Sequence, residues 1–155
     1  MSDKNQEEIP LEEGVNPETL SHIMEPRNYG KLEDANGVGV ALDEKTKEYV
    51  IFYIQLDKDM VKKAKFATNG CQDTVVIGSM FTDMIQDNTL DYAKDAIRRM
   101  NDKLGTMSTQ QQVCADLVFT SFMASLKNFD NIEAGQNEEL HMFKMKNSCE
   151  GENIE

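Results

Sequence analysis

The 155-residue chain holds three cysteines, Cys71, Cys114 and Cys149, and two histidines, His22 and His141. A thiolate is both a nucleophile and a soft ligand for iron or zinc, so these thiols have the widest chemical reach of any groups in the sequence. Cys71 stands in FATNGCQDTVVIGSM, directly after an Asn-Gly pair and directly before an apolar run. A thiol at a helix start meets unpaired backbone N–H groups and the positive end of the macrodipole, both of which favour anionic sulfur. Cys114 begins a second apolar stripe, too far along the chain to form a C-x-x-C zinc motif with Cys71, so spacing alone does not join them. A buried, inert cysteine is the alternative for each. An odd number of widely spaced thiols argues against a secreted disulfide framework and for reduced cysteines in a cytoplasmic compartment. A Cys-His nucleophilic pair would need a histidine beside Cys71 or Cys114, and neither histidine stands near either thiol in sequence. His22 reads as part of a short amphipathic helix and His141 as part of a charged stretch.

The elements that must hold these thiols follow from pattern. In VNPETLSHIMEP, Asn16 caps and Pro17 opens a helix over 17–24, with Leu20, Ile23 and Met24 apolar and Pro26 as the stop. Turn residues Asn28, Gly30, Asn36 and Gly37 precede a first strand at 38–42. Aromatic and β-branched residues at 49–54, a turn at 57–59 and alternation at 61–67 predict an antiparallel hairpin. After Asn69-Gly70 the period changes. Val76, Ile77, Met80, Phe81, Met84 and Ile85 recur at helical spacing, so Cys71 sits at a strand-to-helix turn. Another helix starts at Asn88 or Thr89 and stops near Gly105. Ser108 and Gln111 then form a capping box before a stripe running from Cys114 through Leu117, Val118, Phe122 and Phe129. ELHMFKMKN is short and ambiguous.

Strands followed by helices predict an α+β fold, with helices packed on one face of a small antiparallel sheet. The expected organisation is a flexible acidic segment over 1–14, one domain over 15–130 and a polar acidic tail over 131–155. A formal net charge of −12 argues against a phosphate-binding face and hence against nucleic acid as a partner. No run approaches the ~18 apolar residues of a membrane span, so no membrane association is expected. The ten methionines read as core packing.

HIMEPRNYGKLEDANGVGVA, residues 22–41, closely resembles the signature H-x-x-x-PRN-x-G-x-L-x-x-A-x-G-x-G of the NifU/IscU family of iron-sulfur cluster assembly scaffolds. The resemblance continues through FATNGCQDTVVIGSM and QQVCADLVFTSF, covering residues 17–128 in the family's order. It implies a three-stranded antiparallel sheet with helices packed on it. Family members hold a labile iron-sulfur cluster, or zinc in its place, with three cysteines and a nearby aspartate or histidine. By position, the second and third of those cysteines are Cys71 and Cys114. The first belongs to a C-G-D loop, and an ungapped alignment sets Thr46, Lys47 and Glu48 against it. The soft thiol becomes a hydroxyl and the carboxylate survives as Glu48; a gap makes Asp43 the competitor. The histidine that many members carry before the third cysteine is Val113 here, and GTMSTQQQV does not match the chaperone-recognition segment of the IscU branch. Closing a four-coordinate site therefore falls to Glu48, Asp43, Asp73, Cys149 or a second protein.

The resemblance implies a scaffold rather than an enzyme. It would bind iron or an iron-sulfur cluster, 2Fe-2S first, through Cys71 and Cys114, with zinc as a stand-in. A cysteine desulfurase would supply sulfur, apo iron-sulfur proteins would receive the cluster, and a homodimer would pool two thiols from each chain. Arg27 and Asn28 of the PRN motif read as residues that fix the local fold. Two alternatives follow from Thr46: an adaptor that binds the assembly machinery without a cluster, and a sulfurtransferase-like accessory that accepts persulfide on Cys71 or Cys114.

Overall fold

The computed structural model describes residues 17–145; the acidic segment 1–14, the expected cap Asn16 and Cys149 lie outside the described residues. The first helix, α1 (Pro17–Met24), stops just before Pro26, because a residue preceding proline is pushed out of helical backbone geometry. Three strands then run back and forth: β1 (Gly37–Asp43), β2 (Tyr49–Asp57) and β3 (Met60–Thr68). They pair antiparallel, with Val40 opposite Ile51 and Phe52 opposite Phe66. Alternation becomes geometry in β2, where Val50, Phe52, Ile54 and Leu56 are buried on one face and the residues between them are half-buried.

The chain turns helical where its period changes, into α2 (Gln72–Ile85), α3 (Leu90–Leu104) and α4 (Thr109–Glu133). Thr89 caps α3 by accepting from the Tyr92 N–H, and Gly105 ends it at φ 71°. The capping box forms as expected: Ser108 Oγ accepts from Gln111 N at 3.1 Å, and Gln111 Oε1 accepts from Ser108 N at 3.0 Å. Helices α2 and α4 cover the sheet face that carries Phe52. There Phe52, Phe81 and Phe122 meet edge to face, with ring centroids 5.9, 5.4 and 5.2 Å apart.

Glycines let α4 cross β1 at backbone distance. A Cβ on Gly39 would lie 2.1 Å from Ser125 N and 2.4 Å from Ser121 O, and one on Gly37 would lie 2.6 Å from Ser125 O. The G-x-G of the signature is thus a contact between two main chains that admits no side chain.

Among the described residues the sheet has five strands, not the three that were expected. Two short ones extend it, β4 (Asn88–Thr89) beside β3 and β5 (His141–Met145) beside β1, in the order β4-β3-β2-β1-β5. β4 is a two-residue pairing with Met60 and Val61, too brief for periodicity to reveal. β5 lies within 131–155, the stretch read as a tail, and runs parallel to β1 from Gly39 opposite His141 to Asp43 opposite Met145. Its central residues Met142, Phe143 and Lys144 are all exposed, so it has no alternation, and a parallel partner leaves no hairpin signal in sequence.

Glu138 fastens this strand to α4. One carboxylate oxygen accepts from Asn128 Nδ2 at 3.1 Å and from Asn131 Nδ2 at 2.9 Å, and the other meets His141 Nδ1 at 3.1 Å. Asn128 also reaches β1, where its Oδ1 accepts from Val38 N at 2.9 Å. The hydrogen bonds from Asn131, His141 and Asn128, in that order of weight, hold the Glu138 pKa down at about 2. A carboxyl lowered by folding stabilises the fold above its ordinary pKa, and that contribution is lost as pH falls through the folded value. Acidification from about pH 4.5 to 2 is therefore expected to loosen β5 from β1. Hydrogen exchange at residues 141–145 reports this, and Glu138→Gln should remove the pH dependence.

Candidate functional site

Sheet and helices meet at one end of the molecule. After β3, Asn69 ties the strand end to the β1–β2 loop: its Oδ1 accepts from Tyr49 N at 2.8 Å and its Nδ2 donates to Lys47 O at 3.2 Å. Cys71 follows as the N-cap residue of α2, on extended backbone at φ −80° and ψ −178°, and its side chain makes no capping hydrogen bond. Its thiol is thus not consumed in holding the helix. Helix α4 supplies Cys114 from near its start, and the two sulfurs lie 3.8 Å apart. Cys71 is exposed and Cys114 is fully buried.

Burial pushes the Cys114 thiol up to about 11, and the nearby Cys71 adds to the rise. The Thr74 hydroxyl and the Gln110 amide pull the other way. Gln110 Nε2 donates to Cys114 Sγ at 3.6 Å. Thr74 is fully buried, and its hydroxyl makes no hydrogen bond of normal geometry among the described residues. Sequence reasoning missed both residues. Helical spacing signalled Gln110, four before Cys114 on the same face of α4, but not Thr74, which acts on the cysteine of another helix.

The structure brings Cys71 and Cys114 together and leaves the carboxylates out. Among the described residues, no three His, Cys, Asp or Glu side chains are grouped as metal ligands would be, so none of Asp43, Glu48 and Asp73 joins the two thiols. Asp43 is buried at the end of β1, where its Oδ1 accepts from Lys45 N at 2.9 Å and Thr46 N at 3.4 Å in the following loop. Asp73 stands two residues after Cys71, and positions two apart on a helix do not share a face. Glu48 closes the same loop through its backbone, its carbonyl accepting from Asp43 N and its N–H donating to Thr46 Oγ1. Thr46 and Lys47 are exposed, and Lys47 holds φ 67°, the left-handed conformation suited to the glycine that the family's loop carries there. Val113 is buried in the core.

The PRN segment braces this arrangement from behind. Arg27 Nη1 lies 3.2 Å from His22 Nε2, and because a guanidinium only donates, the ring proton sits on Nδ1, which donates to Ser79 Oγ at 2.6 Å. Arg27 N also donates to Ser79 Oγ at 2.7 Å, and its guanidinium pairs with Asp83 at 3.1 Å. Asn28, at φ 63°, donates to Thr82 Oγ1 at 3.0 Å. Tyr29 bridges to Phe66, and its hydroxyl donates to Thr68 O at 2.8 Å, just before the turn to Cys71. These residues clamp α1 and β3 onto α2, which is the structural role expected of Arg27 and Asn28. His22, fully buried, belongs to the same clamp. His22→Ala is expected to cost about 2–3 kcal/mol by hollowing a fully buried site and removing the ring's hydrogen bonds to Ser79 and Arg27, measured as a lowered urea midpoint with an unchanged slope.

Fold and site together define a small α+β domain that presents a thiol pair where its sheet meets its helices. Residues 15–136 match the family model described as the NifU-like N-terminal domain, and the chain belongs to that family. It is 29% identical over 117 residues to the iron-sulfur cluster assembly scaffold protein IscU of Aquifex aeolicus, covering 74% of each chain. It is 28% identical over 111 residues to the scaffold protein IscU 1 of Archaeoglobus fulgidus, covering 71% of this chain and 72% of the relative. Among solved structures, the N-terminal part of a NifU-like protein from Brucella abortus superposes with a TM-score of 0.59 at 14% identity, over 76% of this chain and 95% of that one. A SUF-system scaffold protein from Fervidobacterium islandicum gives 0.56 at 14% identity, over 72% and 95%. At that identity the structural likeness establishes the fold.

Proposed function

We propose that this protein is an iron-sulfur cluster assembly scaffold that carries iron or a cluster on Cys71 and Cys114 and hands it to apo-proteins. The observation that carries this reading is the sulfur separation of 3.8 Å. Two thiolates bound at ~2.3 Å to one tetrahedral metal stand about 3.8 Å apart, so the pair needs little rearrangement to chelate. Thiolates also suit iron-sulfur chemistry and zinc better than any other side chain does. Family membership and the scaffold relatives support the same reading.

Two thiols make half of a four-coordinate site. The remaining ligands come from beyond the described residues: Cys149, a second copy that pools its own pair, or the protein that delivers or receives the cargo. Such an open set suits a carrier, because an incoming ligand exchanges without first displacing a protein side chain. A cysteine desulfurase fits as the sulfur source and a 2Fe-2S cluster as the first product, with zinc able to occupy the thiols in the absence of iron.

Anaerobic reconstitution with ferrous iron and sulfide tests this, following sulfur-to-iron absorption, metal content and oligomeric state together. Absorption that disappears in the Cys71→Ser/Cys114→Ser double variant is the expected result. Metal uptake equal in both chains would overturn the reading.

A further inference from the structure

We propose that the thiol pair also does redox work: a persulfide formed on Cys71 is resolved by Cys114, releasing hydrogen sulfide and leaving a Cys71–Cys114 disulfide. The step rests on the reading above in one respect, that a donor delivers sulfur to this thiol pair.

Accessibility fixes the order of events. Cys71 is exposed and Cys114 is not, so a persulfide donor reaches only Cys71. Once a second sulfur is attached there, the nearest nucleophile is Cys114, whose Sγ lies 3.8 Å from the inner sulfur. Closing to a disulfide of about 2.05 Å needs under ~2 Å of movement. The side chain that must move is the exposed one, which no capping hydrogen bond restrains.

Cys114 sulfur attacks Cys71 Sγ; the Cys71–Cys114 bond forms, the bond to the terminal sulfur breaks, and that sulfur leaves with the electron pair. It takes up the proton of the Cys114 thiol and the persulfide proton and departs as hydrogen sulfide. The departing sulfur gains one electron, the Cys114 sulfur loses one, and the Cys71 sulfur, already oxidised in the persulfide, is unchanged. An external dithiol returns the disulfide to two thiols for another cycle. Sulfide is the oxidation state that a cluster contains, so the chain would itself reduce the sulfur it receives.

Two further features favour resolution over simple transfer of the sulfur to Cys114. Cys114 is fully buried among core side chains, so a persulfide there would have to fit an added sulfur atom into packed space. The negative charge of the Cys114 thiolate, the form that attacks, is met by two donors: the Gln110 amide at 3.6 Å and the nearby Thr74 hydroxyl, which makes no hydrogen bond of normal geometry among the described residues. Thr74 is therefore a positioning residue for this step, and its unused hydrogen has a task.

The test uses the full chain carrying Cys149→Ser, kept anaerobic and given one equivalent of cysteine persulfide. Mass spectrometry and sulfide quantification follow the reaction. The expected result is one sulfide released per chain, with the mass of two hydrogens lost and a Cys71–Cys114 disulfide on mapping. Cys114→Ser should instead retain one extra sulfur on Cys71, and Cys71→Ser should take up none. Thr74→Val should load at the normal rate and release about tenfold more slowly, with Thr74→Ser restoring release. A chain that keeps the extra sulfur on Cys71 as long as Cys114→Ser does, or that moves it intact to Cys114, overturns the proposal. Failure of Cys71 to take up sulfur at all also overturns it. Zinc binding, measured separately on the reduced chain, tells the two readings apart: intact binding without release sinks only this step, and release without binding sinks only the scaffold reading.

Discussion

Gly39→Ala is expected to cost at least about 3 kcal/mol, the upper end of ordinary overpacking, and to lower the melting temperature by roughly 10 °C. The added methyl meets main-chain atoms of α4 at Ser121, Ala124 and Ser125, with the nearest 2.1 Å away. No side chain can rotate aside, so relief requires moving the helix off the strand. Gly78 is the instructive contrast. A Cβ there would meet the Phe66 ring at 2.5 Å, and a ring can tilt where a helix backbone cannot. Gly78→Ala should therefore be the milder of the two in calorimetry. Displacing α4 carries Cys114 with it, so whatever Gly39→Ala protein remains folded should also bind zinc less tightly than the wild type.

Cys71→Ser and Cys114→Ser are each expected to weaken zinc binding by more than about 100-fold. Replacing a residue behind a ligand already costs 10–100-fold, and here a ligand itself becomes a hydroxyl that suits soft metals poorly. Competition with a chromophoric chelator measures this directly. The converse change, Thr46→Cys, should tighten binding by at least about tenfold, since it adds a third thiolate to an open site. The loop that carries Thr46 is already held at the right end of the sheet by the Asn69 hydrogen bonds to Lys47 and Tyr49. Equal affinities in Cys71→Ser, Cys114→Ser and wild-type chains would place the metal elsewhere.

Much of the positioning machinery was legible in the sequence because it is local. Pro17, Pro26, Thr89, Gly105 and the Ser108/Gln111 box act on their own helix ends, and the alternation in β2 records which residues face the helices. The site was legible only through resemblance, since no spacing rule joins thiols that two different helices bring into contact. The carboxylate candidates show the limit of position alone: Asp43 aligns near a ligand loop, yet its carboxylate is taken up by the backbone N–H groups of Lys45 and Thr46. β5 escaped notice because its parallel partner lies almost the whole described chain away, and Thr74 because a buried hydroxyl becomes informative only when its neighbours are known.

During synthesis the two sides of β1 are completed at different times. β2 and β3 follow directly, and the three strands can pair once residue 68 has been made. α4, which covers the two glycines, and β5, which occupies the outer edge, are the last elements of the described chain to emerge. Until then β1 offers an unpaired strand edge and a bare glycine surface to any neighbouring chain. Its completion closes a loop of about 100 residues, the slow kind of event in folding. The nascent chain is therefore more exposed to wrong association than the finished protein, and its vulnerable strand is the one that bears the two closing glycines of the family signature.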